Sequence, residues 1–176
     1  QISCVISNNK NAFGIERAKS SKIKTFTIEP ELFNSKMAFD EELIHIIDQH
    51  DIDLIILAGY MRILTPIFVS HYFGKILNIH PSLLPKFPGL NTHQKAIDAS
   101  EKKHGVSVHF VTKELDGGPI ISQESVSIEN SDTAETLSVK VLKKEHAIYP
   151  KVIHWYTQRR LKLIDNLTAT LDGKII

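Results

Sequence analysis

Asn78 and His80 stand two residues apart at the end of the strand-like run 75–79, and their types suit acyl transfer. On a strand that spacing sends both side chains to one side. Pro81 biases His80 towards an extended backbone, which keeps the alternation through His80. A side-chain amide can donate to an oxygen that gains negative charge, and an imidazole can move a proton near neutral pH. The same pair also suits a turn asparagine and an ordinary polar strand end.

Asp116 precedes Gly117 and Gly118, where glycines let the backbone pass close to a ligand. A carboxylate there can orient an imidazole and favour its charged form. Asp-Gly is equally a common turn dipeptide. Glu145 falls four residues after Val141 and three before Ile148, on the apolar face of its expected helix. A carboxylate so placed needs a partner, because burying an unpaired charge is costly. The partner is a substrate hydroxyl or, by slight preference, a structural Lys or Arg.

Other chemistries find little support. The nine histidines include no His-x-x-x-His pair, and the one cysteine, Cys4, is far from all of them in sequence. A structural zinc site is not expected. There is no Gly-x-Ser-x-Gly elbow and no Gly-rich phosphate loop of either common kind. Cys4 lies in a strand-like run and reads as a small core residue.

The elements that must carry these residues alternate along the chain. Strand-like runs cover 2–7, 24–28, 53–58 and 75–79, and helix-compatible segments cover 12–20, 39–50 and 66–72. The run 53–58 is continuously apolar, as expected of a parallel strand covered on both faces. This order predicts an α/β fold: an open, mostly parallel, Rossmann-like sheet with helices on both faces. The second half changes character. Residues 106–111 alternate like a strand with one wet face, and 120–128 should pair with them in an antiparallel ribbon. A long helix is expected over 133–158, kinked at Pro150. A short edge strand is expected over 161–164.

With 176 residues, 42% hydrophobic and 23% charged, the chain has the composition of one globular domain. Its formal net charge of +1 lacks the basic footprint of a nucleic-acid binder. No apolar run reaches the ~18 residues of a membrane span. The expected location is the cytoplasm.

The run Asn78-Ile79-His80-Pro81-Ser82-Leu83-Leu84-Pro85-Lys86-Phe87-Pro88-Gly89-Leu90 resembles the signature of the phosphoribosylglycinamide formyltransferase family, enzymes of purine synthesis. The likeness continues through 59–64, 107–119 and 145–150. Methionyl-tRNA formyltransferase and formyltetrahydrofolate deformylase share the Asn-x-His and Ser-Leu-Leu-Pro core, whereas 85–93 is closer to the glycinamide enzymes.

This resemblance implies a catalytic trio of Asn78, His80 and Asp116. It implies a folate cleft at Met61, Arg62, Ile63 and Leu64, at Asn78, and at Thr112, Lys113, Glu114, Leu115 and Asp116. Lys36 matches a basic position facing the folate tail, and Glu145 matches the carboxylate that holds the substrate ribose. The implied co-substrate is 10-formyltetrahydrofolate and the implied acceptor is glycinamide ribonucleotide, with no metal, nucleic acid or membrane partner. The protein is expected as a monomer or homodimer. The family also begins with a further strand and a Gly/Ser/Asn-rich phosphate loop, so the chain 1–176 is expected to be a single formyltransferase domain, incomplete at its N-terminus. Two competing readings are a formyltetrahydrofolate hydrolase and a non-catalytic folate-binding protein.

Overall fold

The computed structural model describes residues 1–176. They form two compact units, residues 1–53 with 64–71, and residues 54–63 with 72–176.

In the first unit β1 (Cys4–Ser7) and β2 (Lys24–Thr27) pair in parallel, with α1 (Phe13–Ser20) as the crossover between them. Ile15 and Ala18, three apart on α1, are buried. Helix α2 (Lys36–Asp48) starts three residues before the expected 39–50. The reason is a cap: Ser35 Oγ accepts the Ala38 N–H at 3.1 Å. Phe39, Leu43 and Ile47 form its buried stripe. Asp40, buried on α2, accepts the Thr65 N–H at 2.6 Å just ahead of α3 (Pro66–His71).

The second unit is built on a four-stranded sheet in the order β3 (Ile55–Leu57), β4 (Ile76–His80), β5 (Lys103–Phe110), β6 (Ile120–Ser127). The β3–β4 pair is parallel, and β4–β5 and β5–β6 are antiparallel. The α/β class expected from the sequence is present, and so is the antiparallel ribbon. Helix α4 (Thr92–Asp98), absent from the sequence reading, follows a left-handed residue, Asn91. Helix α5 (Ala134–Thr157) continues through Pro150 as one helix. Thr133 and Thr136 cap it reciprocally, each hydroxyl accepting the other's N–H. Its residues Leu137, Val141, Ile148 and Val152 pack on Leu77, Val106, Val108 and Phe110 to make the core. Tyr149 shares its O–H between the carbonyls of Leu57 (2.8 Å) and Leu77 (2.9 Å), tying α5 to β3 and β4.

Two expectations about exposure are corrected. The run 53–58 is not covered on both faces: Ile56 is 43% exposed, and β3 has a ladder partner only in β4. Strand β5 has no wet face. Every residue from His104 to Phe110 is buried. Val106, Val108 and Phe110 face the α5 core, while Ser107 on the other face is covered by the segment after β4, bonding Ser82 and Leu84. The strand expected over 161–164 heads a separate antiparallel sheet of β7 (Leu161–Leu163), β8 (Ala169–Leu171) and β9 (Lys174–Ile175).

Candidate active site

The register of the second unit's sheet sets its polar side chains in two cross-strand rows. Asn78 on β4 lies opposite His109 on β5. His80 on β4 lies opposite Ser107 on β5, and Ser107 lies opposite Gln123 on β6. Directly opposed residues stand with their Cβ atoms about 5 Å apart, within reach of polar side chains.

His80 is 5% exposed, and both of its ring nitrogens face oxygen. Nε2 donates to the Phe87 carbonyl at 2.9 Å. Nδ1 lies 3.5 Å from Asp116 Oδ2. A neutral imidazole carries one N–H and serves one of these oxygens, whereas the imidazolium serves both. Phe87 itself has φ +56°, a left-handed conformation that costs a bulky residue energy and marks this loop as tightly held.

Asp116 is equally constrained. Its Oδ2 accepts the Gly89 N–H at 2.8 Å, and its Oδ1 stands 3.7 Å from His109 Nε2. The turn behind it lies hard against the end of β5. A Cβ on Gly118 would collide with the Phe110 carbonyl oxygen, so only glycine fits there.

His109 belongs to the site, although the sequence reading gave it no role. Its Nδ1–H donates to the Phe110 carbonyl at 2.8 Å, which leaves the Nε2 lone pair facing Asn78 Nδ2 at 3.1 Å. Burial pushes the ring below the ordinary imidazole range, against the opposing pull of the Phe110 carbonyl and Asp116. A neutral His109 therefore accepts one amide N–H of Asn78 and fixes which way that amide points. The only signal in the sequence was its two-residue spacing from Ser107 on one face of β5. The register that sets it beside Asn78 is not readable from the chain.

The remaining expected residues divide by unit. In the second unit Met61 and Ile63 are exposed, at 71% and 57%, with Arg62 half-buried. Thr112 is buried, and Lys113, Glu114 and Leu115 are exposed beside Asp116. Met61, Ile63 and Leu115 leave apolar surface exposed. Glu145 is half-buried on α5, and burial raises its pKa above the usual carboxylate range, partly offset by His146 and His80. The structural Lys or Arg partner favoured for it is absent: the ion pairs of this unit go to other carboxylates. Lys36 and Leu64 lie in the first unit, Lys36 exposed at the start of α2 and Leu64 half-buried. No group of three or more His, Cys, Asp or Glu side chains is arranged to hold a metal ion. No helix is long and apolar enough to cross a membrane.

The sequence pattern of the formyl transferase family matches residues 1–153. The chain is 51% identical over 173 residues to a phosphoribosylglycinamide formyltransferase of Escherichia coli K12, covering 98% of this chain and 81% of that one. It is 47% identical over 176 residues to the same-named enzyme of Haemophilus influenzae, covering 100% and 82%. The structure of the phosphoribosylglycinamide formyltransferase of Coxiella burnetii superposes with a TM-score of 0.94 at 49% identity, covering 100% of this chain and 82% of that one. A family pattern spanning most of the sequence, with close relatives in both sequence and fold, places this chain in the formyl transferase family.

Proposed function

We propose that this protein transfers the formyl group of N10-formyltetrahydrofolate to the amine of glycinamide ribonucleotide, in purine synthesis. The observation that carries the proposal is the convergence of Asn78, His80 and Asp116 at the end of β4, in a chain 51% identical to a relative named for that reaction. Formyl transferases use formyltetrahydrofolate as co-substrate, and the exposed apolar side chains of Met61, Ile63 and Leu115 suit its pterin ring.

The chemistry asks the protein for two things. As the amine attacks the formyl carbon, the formyl oxygen gains negative charge, and the new C–N bond forms while the bond to the folate nitrogen breaks. The Asn78 N–H not engaged by His109 is available to that oxygen. On a protonated His80 the Nδ1 proton, loosely held 3.5 Å from Asp116, is the one that can turn to it, because Nε2–H stays on the Phe87 carbonyl. A proton must also leave the amine and one must reach the departing nitrogen, so the balance is neutral and His80 is the group placed to assist it. Asp116 faces the imidazole Nδ1 at 3.5 Å and holds His80 in place. Catalytic hydrogen bonds tighten only when substrate is bound, which accommodates the 3.5 Å separation.

In this reading Lys36, Met61, Arg62, Ile63, Leu64 and Thr112–Asp116 serve the folate, and Glu145 the substrate ribose. The unpaired, half-buried state of Glu145 supports that role, since a ligand hydroxyl would supply its missing hydrogen bond. The chain is part of a single formyltransferase domain that works in the cytoplasm, in a protein that is a monomer or homodimer. The test follows product from both substrates. Formylated ribonucleotide in step with folate consumption is expected. Formate release with no dependence on the amine would overturn the proposal in favour of a hydrolase.

A further inference from the structure

The row that contains His80 has two members that the mechanism does not use. Ser107 is fully buried on β5, and Gln123 follows it on β6. Together they clamp the segment that runs from His80 to Phe87. Ser107 Oγ donates to the Ser82 carbonyl at 2.6 Å and accepts the Leu84 N–H at 3.0 Å. Gln123 Nε2 donates both to Ser107 Oγ at 2.7 Å and to the Leu84 carbonyl at 2.9 Å. The hydroxyl thus uses its one donor and both acceptor sites, and the amide nitrogen uses both of its hydrogens.

The clamp reaches the imidazole through a short backbone path. Ser82 Oγ donates to the Lys86 carbonyl at 2.6 Å, which closes the segment into a compact loop. The next carbonyl, that of Phe87, is the one that accepts His80 Nε2–H. Two residues further on, the Gly89 N–H holds Asp116. One loop therefore sets the hydrogen-bond partner of His80 and one partner of the carboxylate beside it.

We infer that Gln123, acting through Ser107 and the 82–87 loop, is a positioning residue for His80: it keeps the Phe87 carbonyl on Nε2 and so keeps a proton there. This inference rests on His80 being the proton-handling group of the proposed formyl transfer. Gln123 touches none of the reacting atoms in this account. Its amide matters because it must donate twice, so neither an apolar side chain of the same length nor a carboxylate replaces it.

The experiment compares the enzyme with its Gln123→Met and Ser107→Ala variants. Gln123 is exposed on β6, so Gln123→Met should fold even if Ser107→Ala, made at a fully buried site, does not. Nitrogen NMR of the His80 ring, which needs no substrate, should show a protected Nε2–H in the parent and its loss or rapid exchange in Gln123→Met. Turnover should fall roughly tenfold or more with KM for both substrates within about twofold, because the lost interaction acts on the transition state. An Ile148→Val control, a change in the α5 core on the opposite face of β5 from the loop, should lose stability without altering the ring signal. An unchanged His80 signal in folded Gln123→Met overturns the inference, and so does an equal change in the control. A parent that shows the protected Nε2–H but transfers no formyl group instead sinks the proposed reaction.

Discussion

Asp116 and His80 come from segments thirty-six positions apart, yet Oδ2 of one lies 3.5 Å from Nδ1 of the other, and the single loop 82–89 bonds both of them. The carboxylate is 9% exposed and the imidazole 7% by side chain, so little water screens the pair. Asp116→Asn keeps the shape and removes the charge. Turnover is expected to fall by about 10²–10⁴, the range for a positioned acid–base group, with folate affinity little changed. Steady-state kinetics of the variant check this, and near-parental turnover would reduce Asp116 to a turn residue.

Asn78→Ala removes the amide proposed to meet the developing oxyanion, at an expected cost of about 10²–10³ in kcat. His109→Phe keeps the buried ring but leaves the Asn78 amide without its acceptor. It should lower kcat less than Asn78→Ala does, and the double variant should be no worse than Asn78→Ala alone. Additive losses would show that His109 acts independently of Asn78.

Glu145 offers a test by stability. Its folded pKa is raised above the ordinary 4.5, chiefly by burial. As pH climbs past that value the unfolded chain ionises first, so stability present at low pH is lost as pH rises through the folded value. Glu145→Gln should therefore raise Tm at pH 7–8 and leave it nearly unchanged at pH 4. The same variant should raise KM for the ribonucleotide. Calorimetry across that range decides the first expectation and kinetics the second.

His104 has the opposite sign. It is 1% exposed, and its Nε2 sits 3.1 Å from His93 Nδ1. Burial, followed by His93, pushes its pKa down from 6.5 to about 4, with His80 adding to the fall and the Pro81 carbonyl and Glu101 resisting it. A depressed histidine contributes stability that is fully present above pH 6.5 and is lost as pH falls towards about 4, because the unfolded state takes up the proton first. Tm should decline through that window more steeply in the parent than in His104→Gln. Parallel slopes would show that other groups govern acid stability.

The sequence carried the local part of this site well. The Asn-x-His alternation at 78–80 and the Gly-Gly turn after Asp116 are short-range signals, and both residues of the strand pair end on one face as the period requires. The expected strands and helices lie within a few residues of their places, Ser35 capping α2 three residues early, whereas the short α4, β8 and β9 carry too little periodicity to be read. What escaped was non-local. His109, Ser107 and Gln123 join the site through antiparallel register, which no single strand encodes. The burial of both faces of β5 escaped for a related reason: the 82–87 loop folds back over it, and a loop read alone gives no hint of what it covers.

The cross-strand rows also make turnover a clock for folding. A one-residue slip of β5 against β4 would swing Ser107 and His109 to the α5 side and bring Val108 round in their place. Such a chain could be compact and rich in sheet, and it would be inert. During refolding, activity should therefore return after the far-ultraviolet circular dichroism signal, and the interval between the two would time the locking of β4, β5 and β6 into register.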